Sequence, residues 1–333
     1  MTTSGTVGST SLDFAKLTEK VYRRCGVPTG GITPELIDIA RENLYLLFQT
    51  LSNRGINLWA VDHVLLGLRE HKATYDMPTG TIDVLNASYR QPTLVTPTTT
   101  TVVSPTEIDY DFSAAQQVTM IKFSPTIAFT QLSILVGVSD DMINFDFFAL
   151  GTSAADYVAD EHYFFPMEPA WSKRYWVMAP VSVGHTVTGM AFEFAPSFTD
   201  LVISRLNRDD YEALPSKRSE GTTSLQYWFN RQIVPTMTLW PVPSVETNCL
   251  YLTTHRQIQD VGAMVNTIEV PDRWIDAVTW NLAAMCAVEC PVVPADRIPL
   301  TQQMAQSSLI LADGEERDTA PIYLAPNISV YTA

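Results

Sequence analysis

Side chains that could hold a metal ion cluster at two places in the sequence. Asp160, Glu161 and His162 are consecutive, and their oxygen and imidazole nitrogen atoms are possible metal ligands. Residues 139–144 read SDDMIN and offer oxygen ligands for calcium, but they lack the glycine and the final glutamate of an EF-hand loop. Solvated acidic turns explain both clusters more simply, so the sequence predicts no metal site.

The four cysteines do not form a recognisable redox or zinc motif. They are Cys25, Cys249, Cys286 and Cys290, with no CxxC pair among them. Cys286 and Cys290 would share one face of a helix, but a zinc site needs two further ligands. We therefore expect free thiols that serve as small core residues.

No sequence motif of a known catalytic centre is present. The chain lacks a phosphate-binding glycine loop, a nucleophile elbow, an HExxH pair and a GxGxxG turn. The sequence accordingly predicts a protein that is not an enzyme, with no catalytic, cofactor-binding or metal residue.

Composition limits the classes of partner. The 333 residues include 21 basic and 36 acidic side chains, a net charge of −15 that opposes tight binding to nucleic acid phosphates. A duplex could still slide past such a surface without binding it. No apolar run is long enough for a membrane span, and the polar first residues lack a signal-peptide pattern. We expect a protein made in the cytoplasm with no membrane partner.

Hydrophobic periodicity predicts helices at both ends of the chain. Near the start, the helices cover residues 12–25, closed by Gly26, and residues 34–54, with Thr33 as the N-cap and Pro34 at the first position. Near the end, one helix starts at residues 271–272 and stops before Pro291, and another runs from about 299 to 312. The last residues, 318–333, are expected to form an extended arm.

The middle of the chain is predicted to be β-rich. Residues 56–78 suggest a hairpin, and the Thr- and Pro-rich residues 91–106 suggest a linker. Beyond them, short apolar runs separated by turns predict a β-sandwich, which would carry twelve acidic side chains against three basic ones over residues 91–200.

The predicted fold class is therefore α+β. A helical and mixed domain would be formed by residues 1–90 and 201–317, with an antiparallel, jelly-roll-like β-sandwich inserted at 91–200 and an arm at 318–333.

Several short strings, taken in their order, resemble the head-to-tail adaptor (connector) proteins of podoviruses, the short-tailed phages. This family includes the tail accessory factors. The strings cover residues 24–26, 53–59, 75–78, 83–85, 227–232, 239–243 and 270–274. They lie within about two-thirds of the chain, and residues 91–200 depart from the smaller members.

The resemblance implies a virion structural protein at the head–tail junction. About twelve copies would form a ring (a dodecamer) below the portal protein, extend the channel through which DNA passes without specific binding, and dock the nozzle and tail fibres during genome ejection. Large aromatic and arginine side chains often anchor protein interfaces. The candidate subunit and portal contacts are Trp59, Trp228, Arg231, Trp240, Tyr323 and Tyr331.

Two alternatives remain open from the sequence. The chain could be a nozzle or tail-tube protein of the same particle, although helices at both ends disfavour this. It could also be a glycan-binding virion module, because residues 173–177 and the strand alternation resemble, more weakly, discoidin-like or carbohydrate-binding jelly rolls. A glycosidase would need two carboxylates across a cleft, a separation that sequence does not give.

Overall fold

The structure is a computed structural model that describes residues 12–54, 58–181 and 184–315. Contacts between residues divide the chain into two compact units. Unit 1 comprises Met1–Val61 and Arg256–Ala333, and unit 2 comprises Asp62–His255. The two ends of the chain therefore belong to one unit, and the β-rich part lies between them in the sequence. This confirms the α+β class.

The described residues of unit 1 form four long helices. They are α1 (Phe14–Arg24), α2 (Pro34–Arg54), α4 (Asp272–Glu289) and α5 (Arg297–Glu315), with the short α3 (Arg208–Glu212) belonging to unit 2. Each of the four predicted helices is confirmed, and α5 begins two residues earlier and ends three residues later than predicted. The core between α1, α2 and α4 contains Leu17, Leu44, Trp274 and Leu282. No described helix is both long and apolar enough to cross a membrane.

The ends of α1 show how local sequence sets the helix bounds. The Asp13 carboxylate accepts a hydrogen bond from the Lys16 amide at 2.8 Å, which satisfies one of the free N–H groups of the first turn. At the other end, Gly26 adopts a φ of +86°, and the Val27 amide donates to the Tyr22 carbonyl at 2.9 Å. This left-handed residue terminates the helix.

Unit 2 contains three sheets, and most of their strand pairs are antiparallel. The largest has the order β1-β15-β3-β9-β5-β8-β6-β7, with β4 beside β5. Its strands are β1 (Val61–Gly67), β3 (Thr81–Val95), β4 (Thr99–Ser104), β5 (Glu107–Phe123), β6 (Phe129–Ser139), β7 (Asp146–Tyr157), β8 (Tyr163–Pro180), β9 (Phe192–Val202) and β15 (Cys249–Arg256).

The two smaller sheets complete unit 2. One has the order β10-β12-β13-β2, from β10 (Ser204–Leu206), β12 (Gln226–Asn230), β13 (Thr236–Trp240) and β2 (Thr74–Asp76). The other pairs β11 (Glu220–Gly221) with β14 (Val242–Pro243).

The long strands β5 and β8 contribute to both layers of a β-sandwich. Their pairing is interrupted by a register shift between Asp111 and Gln116, where β5 carries extra residues. Across the sandwich, the rings of Tyr110 and Trp176 lie 4.9 and 5.7 Å from the ring of Phe194. These aromatic contacts fill the space between the layers.

Two expectations about the middle of the chain are corrected. Residues 91–106 are not a linker, because β3 continues to Val95 and β4 follows at Thr99–Ser104. Threonine and valine favour extended backbone. Pro97 and Pro105 lie just outside β3 and β4, and Pro92 lies within β3, opposite Phe198 of β9. The residues 56–78 do not form a hairpin, because β1 pairs with β15 and β2 pairs with β13.

The unit bounds also differ from the expected domain bounds. Positions 90 and 200 lie inside β3 and β9, which pair along Ser88–Val95 and Phe194–Val202. Because these strands are hydrogen-bonded across the expected bounds, the division falls at Val61 and Arg256 instead. The expected arm at 318–333 lies outside the described residues.

Candidate functional site

The buried face of helix α5 in unit 1 is made of small residues. Thr301, Ala305, Ser308 and Ala312 are all buried. The two hydroxyls donate to backbone carbonyls of the same helix, Thr301 to Ile298 at 2.8 Å and Ser308 to Ala305 at 3.0 Å. Small side chains with satisfied hydroxyl groups allow the helix to pack closely within the unit.

The outward face of α5 carries the large apolar residues. Leu300, Met304, Ile310 and Leu311 are 42%, 37%, 69% and 71% exposed. No charged residue occurs between Ile298 and Ala312, which is about four turns of helix. The same side also exposes Gln302, Gln303, Gln306 and Ser307, so it is uncharged and mixes polar with large apolar side chains. A typical surface helix instead turns its large apolar residues toward the core.

The sequence candidates for interface contacts lie in different places. Trp59 is half-buried in unit 1, where its ring lies 4.9 Å from the ring of Trp274. Its Nε1 is buried and has no hydrogen-bond partner within the described part of the chain. Trp59 therefore contributes mainly to the packing of the helical unit. Tyr323 and Tyr331 lie outside the described residues.

The other candidates lie on the small sheet of unit 2. The Trp228 ring stacks on Tyr211 at 4.9 Å, and Trp240 donates from Nε1 to the Ser216 carbonyl at 2.8 Å. Exposed Arg231 forms an ion pair with Asp83. The two tryptophans thus hold the 207–219 segment on this sheet and are only half-exposed.

Sequence reasoning missed the outward face of α5 and the tip of the β12–β13 hairpin. At that tip, Ile233 is fully exposed and Val234 largely so. The uncharged run of α5 could have been read from the sequence. The exposure of Ile233 could not, because an isolated apolar residue in a turn has no periodic pattern.

A cleft opens on the outer face of the sandwich in unit 2. It has a volume of about 320 Å³ and is lined by β4, β5, β8 and the β6–β7 turn. The lining residues are Thr99, Thr101, Val103, Asp109, Tyr110, Asp111, Met142, Tyr175, Trp176 and Val177. The cleft therefore combines hydroxyl and carboxyl groups with an apolar wall.

Asp109 is the least satisfied polar group of this cleft. Its Oδ1 is buried and has no hydrogen-bond partner among the residues that the structure describes. Burial raises the pKa of the Asp109 carboxyl, and the charge of Glu107 raises it further. Buried polar atoms usually have a partner, so an orphaned carboxyl oxygen in a cleft marks a candidate ligand contact.

Arg174 and Asp111 form an ordered pair beside Asp109. Arg174 donates from Nε and Nη2 to the two Asp111 oxygens at 2.8 and 3.0 Å, and its guanidinium carbon lies 4.6 Å from the centre of the Tyr175 ring. These hydrogen bonds lower the pKa of the Asp111 carboxyl. The pair is electrically neutral and leaves Asp109 as the cleft carboxyl without a cationic partner in the described structure.

Two of the possible metal ligands at 160–162 have side-chain partners in the protein. Glu161 forms ion pairs with Arg69 and Lys72, and His162 is hydrogen-bonded to Ser124 and Glu246. Among the described residues, no group of three or more His, Cys, Asp or Glu side chains is placed to hold a metal.

In the 139–144 turn, the carboxylate of Asp141 accepts hydrogen bonds from the Ile143 and Asn144 amides and from two side chains. These donors occupy the carboxylate oxygens that a calcium ion would need.

All four cysteines are buried, which confirms their interpretation as core residues. Burial raises the pKa of Cys25 to about 11 and that of Cys249 and Cys286 to about 12. The thiols of Cys25, Cys249 and Cys286 therefore remain protonated at neutral pH, which makes them unreactive.

Comparison with known proteins gives little guidance. No family model matches the chain, and no curated protein matches it. Among solved structures, the C-terminal domain of a chitobiase from Bacteroides fragilis is 16% identical, with 29% of this chain covering 64% of that domain at a TM-score of 0.20.

Two modules from Clostridium perfringens are similarly distant. The first, a CBM32 module of a family 31 glycoside hydrolase, is 12% identical over 43% of this chain and 97% of the module, at a TM-score of 0.22. The second, the CBM32-5 module of a GH89 protein, is 11% identical over 44% and 99%, at 0.20. These scores are too low to assign a fold family or a ligand to the chain.

Proposed function

We propose that the chain is a non-catalytic structural protein, the head-to-tail adaptor of a short-tailed phage, which forms a ring with copies of itself below the portal. The observation that carries the proposal is the outward face of α5. An uncharged helix face with several exposed large apolar side chains suits coverage by another protein chain rather than contact with water.

The partner for this face is a second copy of the chain. A net charge of −15 makes two copies repel each other over most of their surfaces. The run from Ile298 to Ala312 is free of charge, so two copies can approach there without that penalty. Covering Ile310 and Leu311 would contribute about 1 kcal/mol or more for each side chain.

A ring needs a contact that repeats head to tail and closes. In the adaptor, the face of α5 on one copy meets a different surface of the next. The portal, the nozzle and the tail fibres are the other partners, and DNA passes through the channel unbound, as the acidic surface favours. The protein would be made in the host cytoplasm and reside at the head–tail junction of the virion.

The test is native mass spectrometry of the full chain mixed with the portal ring of the same phage. We expect a complex with a fixed ring stoichiometry. The double variant Ile310→Glu/Leu311→Glu should fail to form it, while Val265→Glu, which also adds a negative charge at an exposed apolar site of unit 1, should assemble normally.

Assembly of the double variant at the wild-type level would show that α5 is not the contact. A folded wild-type chain that does not bind the portal would overturn the adaptor function and favour the nozzle or tail-tube alternative.

A further inference from the structure

The floor of the cleft in unit 2 is set by the strand register. Asp109 lies opposite Thr101 on β4 and opposite Val177 on β8, and the neighbouring row places Thr99, Asp111 and Tyr175 side by side. Directly opposite residues point to the same face of a sheet, with Cβ atoms about 5 Å apart. Two threonine hydroxyls therefore lie next to the carboxyl groups.

The apolar side of the cleft lies on β8 and the β6–β7 turn. Tyr175 and Val177 supply one wall, and exposed Met142 supplies its edge. Gly137 lies on the next strand, β6, opposite Val177, and on the strand beyond it, β7, Phe147 is 62% exposed and lies opposite Gly137. A Cβ on Gly137 would come within 2.7 Å of the Phe147 ring. The glycine thus leaves room for an aromatic ring to lie flat on the sheet.

We propose that this cleft binds a neutral, polyhydroxylated ligand, one or two saccharide units in size, with Asp109 accepting hydrogen bonds from its hydroxyl groups. A sugar ring has an apolar C–H face for Tyr175 and Val177 and a polar edge for Asp109 and Thr101. The volume of about 320 Å³ is at the lower end of small-molecule sites.

Charge selects a neutral ligand over an ionic one. The Arg174 side chain is engaged by Asp111, so the cleft offers no free cation for an anionic group within the described structure. The acidic residues of this segment outnumber the basic ones twelve to three, which repels anions further. No group of metal ligands is present among the described residues, so a divalent cation has no coordination shell there.

This proposal goes beyond the adaptor function and is independent of it. The cleft lies entirely in unit 2, whereas α5 lies in unit 1. A variant of the cleft should therefore leave the assembly on the portal unchanged, and failure of one proposal does not imply failure of the other.

The experiment is isothermal titration calorimetry of the full chain with glucose, galactose, mannose, N-acetylglucosamine and their disaccharides. We expect at least one to bind with a Kd below about 10 mM. Asp109→Asn and Thr101→Val, which keep the side-chain shapes, should each weaken that binding about ten-fold. The matched control Asp146→Asn, an exposed acid on β7 of the same unit, should leave Kd unchanged.

Chemical-shift perturbation in NMR spectra of the wild-type chain gives a second readout, at the assigned Tyr175 and Thr101 signals. This readout does not depend on the folding of a variant. Absence of saccharide binding by the folded protein would overturn the proposal. So would binding that is unaffected by both variants, or binding of Mg²⁺ or putrescine to the cleft in preference to the sugars.

Discussion

Arg90 and Asp200 form a bidentate ion pair across β3 and β9. The Nε–Oδ1 and Nη2–Oδ2 distances are both 2.7 Å, and Arg90 is 7% exposed. The guanidinium lies between two rings, 3.9 Å from the centre of Phe198 and 4.3 Å from that of Tyr251. The Tyr251 ring in turn stacks with His63 at 5.3 Å.

This ladder takes one residue from each of four adjacent strands. Its order, His63, Tyr251, Arg90 and Phe198, follows the strand order β1-β15-β3-β9. The planar guanidinium is suited to both roles, because it stacks on rings with its faces and pairs with a carboxylate at its edge. It fixes the register of strands that are far apart in sequence.

Replacing Arg90 with lysine should destabilise unit 2 by about 2 kcal/mol or more, because an ammonium group loses both the bidentate geometry and the stacking. Urea unfolding followed by tryptophan fluorescence measures this change. The control is Lys217→Ala, which removes an exposed ion pair with Glu212 and should change the free energy of unfolding by no more than about 0.5 kcal/mol. Equal effects of the two changes would contradict this role of Arg90.

Gly67 allows a close approach of two backbone segments. A Cβ at this position would lie 1.9 Å from the carbonyl oxygen of His162, so β1 could not keep its place beside this segment. We expect Gly67→Ala to destabilise the protein by about 3 kcal/mol or more.

The comparison for Gly67 is Gly184→Ala in the same unit. Gly184 has a φ of +87°, but a methyl group added there would have no neighbour within 4 Å, so only backbone strain of about 1 kcal/mol applies. Thermal unfolding followed by circular dichroism ranks the two. A smaller effect at Gly67 than at Gly184 would mean that β1 and the His162 segment are too far apart for a methyl group to clash.

Two histidines, the buried His255 and the half-buried His162, should make unit 2 sensitive to mild acid. Burial lowers the pKa of His162, with the nearby Lys122 adding to the effect, and burial likewise lowers the pKa of His255. Below about pH 6.5 the unfolded chain takes up protons that the folded histidines do not, so folding becomes less favourable. The stability is retained above about pH 6.5 and lost as the pH falls toward the lower folded pKa.

The measurement is the free energy of unfolding at pH 7.5 and pH 5.5. The double variant His162→Gln/His255→Gln should lose less stability between these two values than the wild type. His71 is the control. Its exposed hydrogen bond with Glu220 raises the His71 pKa, so this histidine favours folding as the pH falls, opposite in sign to His162 and His255. A wild-type protein that becomes more stable at pH 5.5 would contradict the assignment.

The helices of this protein could be predicted from sequence because their signals are local. Gly26 and Pro34 act on the turn in which they stand, and the apolar spacing of α2 and α4 needs no knowledge of a partner. The strands differ. β1 and β2 lie close in sequence, but their partners β15 and β13 are more than 150 residues away, so a hairpin prediction there was wrong.

The candidate site was less predictable than the fold. The orphaned oxygen of Asp109 depends on the register that places Thr101 and Val177 beside it, and that register joins three strands. The acidic residues of this segment suggested only solvated turns. Asp109 differs from them through burial, which a sequence does not specify.

The β6–β7 turn beside the cleft depends on one carboxylate. Asp141 accepts hydrogen bonds from the Ile143 and Asn144 amides at 2.9 Å each and from the Ser139 hydroxyl at 2.8 Å, and these bonds lower the pKa of its carboxyl. Met142, which follows Asp141, has a backbone φ of +59°, a left-handed conformation that costs energy for a residue other than glycine. The hydrogen bonds to Asp141 therefore keep Met142 at the edge of the cleft.

Asp141→Ala removes the acceptors, so the turn should relax and Met142 should leave the cleft edge. For Asp141→Ala we expect faster amide hydrogen exchange at residues 142–144 and weaker saccharide binding. Asp141→Asn keeps one acceptor oxygen, so its exchange rates and affinity should lie between those of Asp141→Ala and the wild type. Since the depressed pKa belongs to the folded state, the turn in the wild type should hold at neutral pH and loosen only as the pH falls below the usual aspartate value of about 3.8. Unchanged exchange in Asp141→Ala would show that the strands alone define the turn.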